Sequence, residues 1–310
     1  MKRRVAIIGT GSVGASVAAA SLQSGVADEL LLFDVRQSVA EGEAMDLAHG
    51  ASFYPPATVR MTTIDQMLDA DVIVVSADRG GQPGESRLAL LERNASLVRD
   101  IGRQLIAARG IIVMVSNPVD VLTHVMTEAS GLPAERVMGT GTMLDTARLR
   151  HVVGRIIEVD PHSIHAYVIG EHGDSEIALW STARVGVTLL RHWSGWDEQR
   201  EGILAEDVRR AGYEIIRRKG ATNHAIGLAT ANLLRCMLRD ERRVLTISRV
   251  QNSASGFPDV AMSLPTIVGA RGAFHVIPAD MSADEREQLE RSAAVLRAAS
   301  RRVRAELAPP

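Results

Sequence analysis

Residues 5–14 read VAIIGTGSVG, an apolar run that ends in three glycines spaced as GxGxxG. The glycine spacing alone is weak, because small-residue turns often produce it, so its setting decides the reading. The run before it is β-branched and of strand length. GASVAAASLQSG after it carries the small residues of a closely packed helix, and ELLLFD follows with Asp34 at its end. Strand, tight turn, helix and second strand make a βαβ unit. Gly9 suits the turn, Gly11 lets backbone approach a pyrophosphate at the helix N-terminus, and Gly14 permits close helix packing. Ser12 and Val13 open that helix. Asp34 stands where it would accept hydrogen bonds from an adenosine ribose and repel a 2′-phosphate, which favours NAD over NADP. The alternative is a generic α/β turn with a solvent-facing aspartate.

Outward from this unit the same texture repeats. A helix is expected from Val39 to His49, then short strands in VRMTT and DVIVVSA, a helix over about 88–108, and IIVMVSNP. Continuous apolar runs of this kind suit parallel strands covered on both faces, and so a doubly wound sheet. Pro118 follows Asn117 where the chain must turn, and VDVLTHVMTEASG reads as a helix closed by Gly131. From about residue 142 the pattern becomes a mixed α+β one, with a helix in TMLDTARLRHVVGRII and short apolar runs in SIHAYVIG and EHGDSEIALWS. We therefore expect an NAD-binding α/β domain over 1–141 and a catalytic, substrate-binding α+β domain over 142–310. Helices are expected over 198–219 and 225–239, and strands RRVLTISRV and GAFHVIP flank a turn-rich connector at NSASGFPDV. Ser282 and Glu285 form a capping box for a last helix on which Leu289, Ala293, Leu296, Val303 and Leu307 recur near helical period.

Bulk properties exclude other classes. A chain of 310 residues with 46% hydrophobic content can bury a large core or two medium ones. A formal charge of −2 with interspersed signs gives no basic face for nucleic acid. The apolar runs are far short of the ~20 residues a membrane helix needs. The N-terminal run stops too early at its glycines for an export signal. The single cysteine, Cys236, lies in an apolar helical pattern and reads as a buried thiol of a reducing, cytoplasmic protein.

Four polar features sit at element ends: Arg87 in GESR, Asn117 in VSNP, Asp145 with Arg148 in LDTAR, and His172 in GEHGDS. Asp145 and Arg148 are three apart and share a helix face, so one can address a histidine and the other an anionic ligand. Histidine donates and recovers protons near neutral pH, and a carboxylate on its far nitrogen fixes the tautomer and supports the cation. Taken singly, each has a plainer reading: a surface arginine, a turn histidine, or an aspartate or asparagine capping a turn or helix. With a dinucleotide fold they compose a hydride-transfer site that requires no metal.

GTGSVG, PGESRLALLERN, VSNPVDVLTHV, GTGTMLDTARLR and GEHGDSEIALWS together resemble the L-lactate/L-malate dehydrogenase family across essentially the whole chain, and its lactate branch more closely. The resemblance implies an N-terminal Rossmann domain and an NAD-dependent cytoplasmic oxidoreductase of fermentation that interconverts (S)-lactate and pyruvate. In it His172 is the acid/base and Asp145 orients it. Arg148 clamps the substrate carboxylate, and Arg87, on a mobile lid around 78–90, polarises the carbonyl. Asn117 holds nicotinamide ribose and substrate, Thr222 lines the pocket, and Ser76, Ala77, Asn94 and Ser116 complete the cofactor site. The resemblance also implies a homotetramer or at least a dimer. It places Arg150 and His165 where activated bacterial members bind fructose 1,6-bisphosphate between subunits.

One segment departs from the pattern. The lactate branch follows this strand with Thr-Ala-Gly and a specificity glutamine, and the malate branch has an arginine at that position. Here Ser76-Ala77-Asp78 follows, and Gly81 falls in the specificity slot with Gln82 beside it. A local shift restores glutamine to the pocket. Without one, the missing side chain leaves room for 2-keto acids bulkier than pyruvate. Oxaloacetate suffers either way, because neither residue pairs with its second carboxylate. A catalytically inert NAD-binding regulatory or structural protein is the non-enzymatic alternative.

Overall fold

The computed structural model describes residues 2–80 and 87–307, leaving out the side chains of Arg87 and Leu88. Gly81 and Gln82, the two candidate specificity positions, lie outside the described residues. Six short apolar runs form parallel strands: β1 (Arg4–Ile8), β2 (Glu29–Phe33), β3 (Thr58–Met61), β4 (Val72–Val75), β5 (Ile111–Met114) and β6 (Val137–Gly139). They lie in the order β3-β2-β1-β4-β5-β6, the doubly wound arrangement whose direction of progression reverses between β1 and β4. The continuous hydrophobicity of β1, β2, β4 and β5 is explained by cover on both faces, whereas the edge strand β3 is only partly covered. Helices α1 (Ser12–Gln23) and α2 (Gln37–His49) follow β1 and β2, and α3 (Arg87–Gln104) and α4 (Val119–Ser130) follow β4 and β5. Ile8, Ile73, Ile112 and Met114 pack into one apolar cluster, and Val5, Ile7, Val72 and Val113 into the other. The helix expected over 88–108 ends at Gln104. Gly131 closes α4 in the left-handed conformation, φ 64°, as read from the sequence.

The sheet does not stop at residue 141. After α5 (Met143–Ile157) come five two-residue strands: β7 (Ile164–His165), β8 (Val168–Ile169), β9 (Ile177–Ala178), β10 (Arg184–Val185) and β11 (Thr188–Leu189). Helices α6 (Glu201–Lys219) and α7 (His224–Leu238) follow, the first preceded by a single 3-10 turn at Glu198–Arg200. Then β12 (Arg243–Val250) pairs antiparallel with β6 through Ser248 opposite Gly139, and β13 (Ala261–Gly269) and β14 (Gly272–Val276) extend the sheet to nine strands. β13 is absent from the sequence reading, and its Pro265 is the reason, since proline argues against an inner strand. It is tolerated because its carbonyl accepts from Ile277, one residue beyond β14, so the missing N–H falls where the ladder ends. A third apolar cluster, with Leu149, Val153, Ile164, Trp180, Leu204 and Val208, packs α5 and α6 on the small strands.

The last helix, α8 (Ala283–Leu307), begins with the expected capping box. The Glu285 amide donates to Ser282 Oγ at 3.2 Å, and the Ser282 amide donates to Glu285 Oε2 at 2.8 Å. Cys236 is fully buried with its thiol 3.2 Å from the Val268 carbonyl, and burial pushes its pKa up, so it is an inert packing thiol. Among the described residues, no helix is long and apolar enough to cross a membrane.

Candidate active site

The glycine loop lies at the C-terminal ends of β1 and β4, where the sheet order reverses. Gly9 has φ 95°, and a Cβ there would lie 2.6 Å from the Ala77 amide nitrogen, so both the turn and the approach of β4 exclude a side chain. Gly14 packs still closer: its Cβ would lie 1.9 Å from the Gly9 carbonyl oxygen. Gly11 differs, since a Cβ there meets nothing within 4 Å. It is the N-cap of α1 and makes no side-chain cap, leaving the first-turn amides, Val13 included, open to an anion with room for it to approach. That is a fit to a dinucleotide pyrophosphate.

Around this loop the other expected cofactor residues form one hydrogen-bonded rim. Asp34, 8% exposed, receives the Thr10 amide at 2.9 Å and the Arg36 amide at 3.0 Å. Burial opposes its ionisation, but these donors and the Arg36 charge hold its pKa below the usual value, so a carboxylate faces the ribose position. Ser76 Oγ donates to the Gly9 carbonyl at 2.8 Å, and Ser116 Oγ to the Ala77 carbonyl at 2.6 Å. Buried Asn94 accepts from the Arg79 amide at 3.1 Å and reaches the Asn117 carbonyl at 3.5 Å. Asn117 is exposed at the crest of β5, before α4, and its Oδ1 accepts from the Val119 amide at 3.3 Å. Arg87 is the first residue of α3.

The residues expected to form the acid/base pair come from separate elements. α5 presents Asp145 on its buried face, 1% exposed, and the loop between β8 and β9 presents His172. His172 Nδ1 donates to Asp145 Oδ2 at 2.5 Å, and Arg148 Nη1 donates to Asp145 Oδ1 at 2.8 Å. The sequence reading divided Asp145 and Arg148 between histidine and ligand. In the structure Asp145 serves both neighbours, because a three-residue helical spacing brings Arg148 onto the same carboxylate. His172 Nε2 and Arg148 Nη2 make no hydrogen bond among the described residues, and the two side chains are 27% and 15% exposed, so these atoms are left for a substrate.

The electrostatics follow from the geometry. Burial alone would lower the pKa of His172, but the Asp145 carboxylate at contact distance, with Asp120 and Glu176 behind it, raises it to about 9. Burial likewise opposes ionisation of Asp145, but His172 and Arg148 hold its pKa below the usual value. The pair is therefore imidazolium and carboxylate at neutral pH. Sequence reading missed two carboxyls here. Asp120, on α4, is 2% exposed and receives the His172 backbone amide at 2.7 Å, while burial raises its pKa to about 6. Glu176 is 5% exposed, and one atom each of Asp145, His172 and Glu176 lie within 4.8 Å of one another. Its only sequence signal is its place in GEHGDSE. Two carboxylates and an imidazole are metal-ligand types, but Asp145 and His172 are already committed to each other.

Thr222 lies half-buried in the link between α6 and α7. The next residue, Asn223, donates to Ser16 Oγ on α1 at 3.0 Å, which ties the expected pocket wall to the cofactor helix. Arg150 leaves the opposite side of α5. Its Nε donates to the Ala166 carbonyl at 3.0 Å and its guanidinium lies 4.9 Å over the Tyr167 ring. His165 is exposed on β7, directly opposite Arg184 of β10.

Comparison with known proteins identifies the family. Residues 3–139 match the family described as lactate/malate dehydrogenase, NAD binding domain, and residues 142–307 match lactate/malate dehydrogenase, alpha/beta C-terminal domain. The chain is 43% identical over 294 residues to an L-lactate dehydrogenase of Synechococcus sp. (strain JA-3-3Ab), covering 94% of this chain and 96% of that protein. It is 44% identical over 307 residues to an L-lactate dehydrogenase of Kosmotoga olearia, covering 96% and 95%. Among solved structures, the minor L-lactate dehydrogenase of Enterococcus mundtii in its ligands-bound form superposes with a TM-score of 0.95 at 39% identity, over 98% of this chain and 99% of that one.

Proposed function

The chain belongs to the lactate/malate dehydrogenase family, and on that premise we propose that it is an NAD-dependent L-2-hydroxyacid oxidoreductase interconverting (S)-lactate and pyruvate. The observation that carries the catalytic roles is the trio His172, Asp145 and Arg148, with Nε2 of the histidine and Nη2 of the arginine left open beside a dinucleotide crevice. Bound NAD supplies the hydride acceptor, and NADH the donor. Arg148 holds the substrate carboxylate through its open guanidinium edge while Asp145 fixes that guanidinium from the other side. His172, protonated at neutral pH, gives its Nε2 proton to the keto oxygen of pyruvate. In the reverse direction the neutral imidazole takes the proton of the lactate hydroxyl, and Asp145 stabilises the cation that forms. Arg87 polarises the carbonyl from the lid, and Asn117 and Thr222 position the substrate. The functional division is at residue 141, with 1–141 holding the cofactor and 142–310 the acid/base pair.

Comparing kcat/KM with NADH for pyruvate, oxaloacetate, 2-ketobutyrate and phenylpyruvate tests the substrate. Pyruvate is expected to exceed oxaloacetate by at least ~10²-fold, because the second carboxylate finds no cationic partner. Preference for oxaloacetate overturns the lactate reading. Preference for phenylpyruvate favours the second reading, an enzyme for bulkier 2-keto acids, which Gly81 in the specificity slot motivates.

A homo-oligomer, specifically a tetramer regulated by fructose 1,6-bisphosphate, completes the proposal. Residues directly opposite in an antiparallel pair point to one face, so His165 and Arg184 stand side by side there, and Arg150 is anchored one residue away at Ala166. That grouping suits a phosphate. Adding the effector is expected to lower the KM for pyruvate about 5-fold or more. An unchanged KM together with an unchanged oligomeric state removes the case for Arg150 and His165.

A further inference from the structure

Glu176 takes no part in the reaction as described above, yet it is one of the most buried carboxyls near it, 5% exposed and within 4.8 Å of both His172 and Asp145. The turn from Gly173 to Glu176, closed by a 3.2 Å bond between the Glu176 amide and the Gly173 carbonyl, folds the side chain back toward His172 just before β9 begins. The hydrogen-bonding groups around it are directed elsewhere. Both Asp145 oxygens are taken by His172 and Arg148, and Arg209 of α6 reaches the Glu176 backbone carbonyl at 3.5 Å and pairs through Nη1 with Glu206. The Glu176 carboxyl receives no protein hydrogen bond among the described residues, so it acts on its neighbours through its charge.

Resting on the acid/base role given to His172, we propose that Glu176 is a positioning residue of the proton transfer: a buried carboxyl whose ionised form holds the His172 imidazolium against Asp145. The charged groups facing the pair are Asp145 and Arg148 from α5, Asp120 from α4, Arg209 with Glu206 from α6, and Glu171 from the same loop. Burial and the Asp145 carboxylate raise Glu176 to about 8 against the opposing pull of His172, Arg209 and Arg148. In neutral solution it is therefore a neutral acid beside an already cationic histidine. As pH rises through about 8 it ionises, and its new negative charge opposes loss of the His172 proton in the interval where that loss begins. The catalytic acid is thereby kept charged into mildly alkaline solution.

The test is Glu176→Gln, which keeps the shape and removes the ionisation. In the apo protein, ring 15N NMR of His172 is expected to show its titration midpoint lower by about one pH unit. The alkaline limb of kcat/KM for pyruvate reduction should move down by the same amount. A midpoint unmoved by the substitution overturns the proposal. The NMR readout uses no substrate, so it separates this inference from the choice of 2-keto acid. Should the variant not fold, the ring 15N shifts of His172 in the unaltered protein read the same coupling: a second inflection near pH 8 as Glu176 ionises is expected, and a curve with a single His172 titration overturns the proposal.

Discussion

Replacing His172 by asparagine is expected to lower kcat for pyruvate reduction by about 10³-fold while leaving NADH affinity nearly unchanged. General acid/base catalysis supplies ~10²–10⁴-fold, and asparagine has no proton to give at neutral pH. The cofactor rim formed by Gly9, Asp34, Ser76 and Ser116 contains no contact to His172, so NADH fluorescence titration is the control. The fold should tolerate the change, since Asp145 keeps Arg148 at 2.8 Å and is not left as a buried unpaired charge. The pH dependence gives the sharper reading. With its pKa raised to about 9, His172 should support reduction on the acid side and lose that ability as pH rises through this value, while lactate oxidation, which needs the neutral ring, should gain over the same interval. His172→Asn should remove both limbs. Turnover equal to that of the unaltered enzyme rules out the acid/base assignment.

The second large effect concerns the substrate carboxylate. Arg148→Lys keeps a positive charge beside Asp145 but loses the planar fork, with one edge bound to Asp145 and the other open. A lysine ammonium that satisfies Asp145 cannot also hold a carboxylate through two parallel bonds. Losing such a charge-assisted pair costs about 3–4 kcal/mol, or ~10²–10³-fold in kcat/KM, most of it expected in KM and in the affinity for oxamate. Steady-state kinetics with an oxamate titration measures both. If KM for pyruvate stays within about 2-fold, Arg148 is only the structural partner of Asp145 and the carboxylate clamp lies elsewhere.

The sequence alone carried a great deal here because the relevant signals are local. A β-branched run, GTGSVG and ELLLFD specify the strand, the turn geometry and the next strand within about thirty positions; Gly9 and Gly14 are required by backbone contacts that a Cβ would violate, whereas Gly11 leaves open space at the helix N-terminus. Helix ends at Gly131, and at Ser282 with Glu285, are likewise readable from capping chemistry a few residues long. The resemblance of GEHGDS and LDTAR to one family implies His172 and Asp145 as partners and Arg148 as the carboxylate clamp. β13 was missed where a local rule, the exclusion of proline from inner strands, is overridden by the early end of the neighbouring ladder at β14.

Only the tertiary structure decided what surrounds the histidine. Asp120 is 52 positions from His172 in the chain and Asp145 is 27, so no spacing rule brings them together. The packing of α4 and α5 against the β8–β9 loop does. The charge states follow from that packing as well. Glu176 and Asp120 are ordinary carboxyls in the sequence, and it is removal of water by the surrounding elements that raises them to about 8 and about 6. Local sequence thus determined the cofactor loop, the family and the catalytic residue types. Long-range packing determined the pairing of Asp145 with His172 and the second carboxyl beside them, because desolvation and contact between distant segments exist only once the chain has folded.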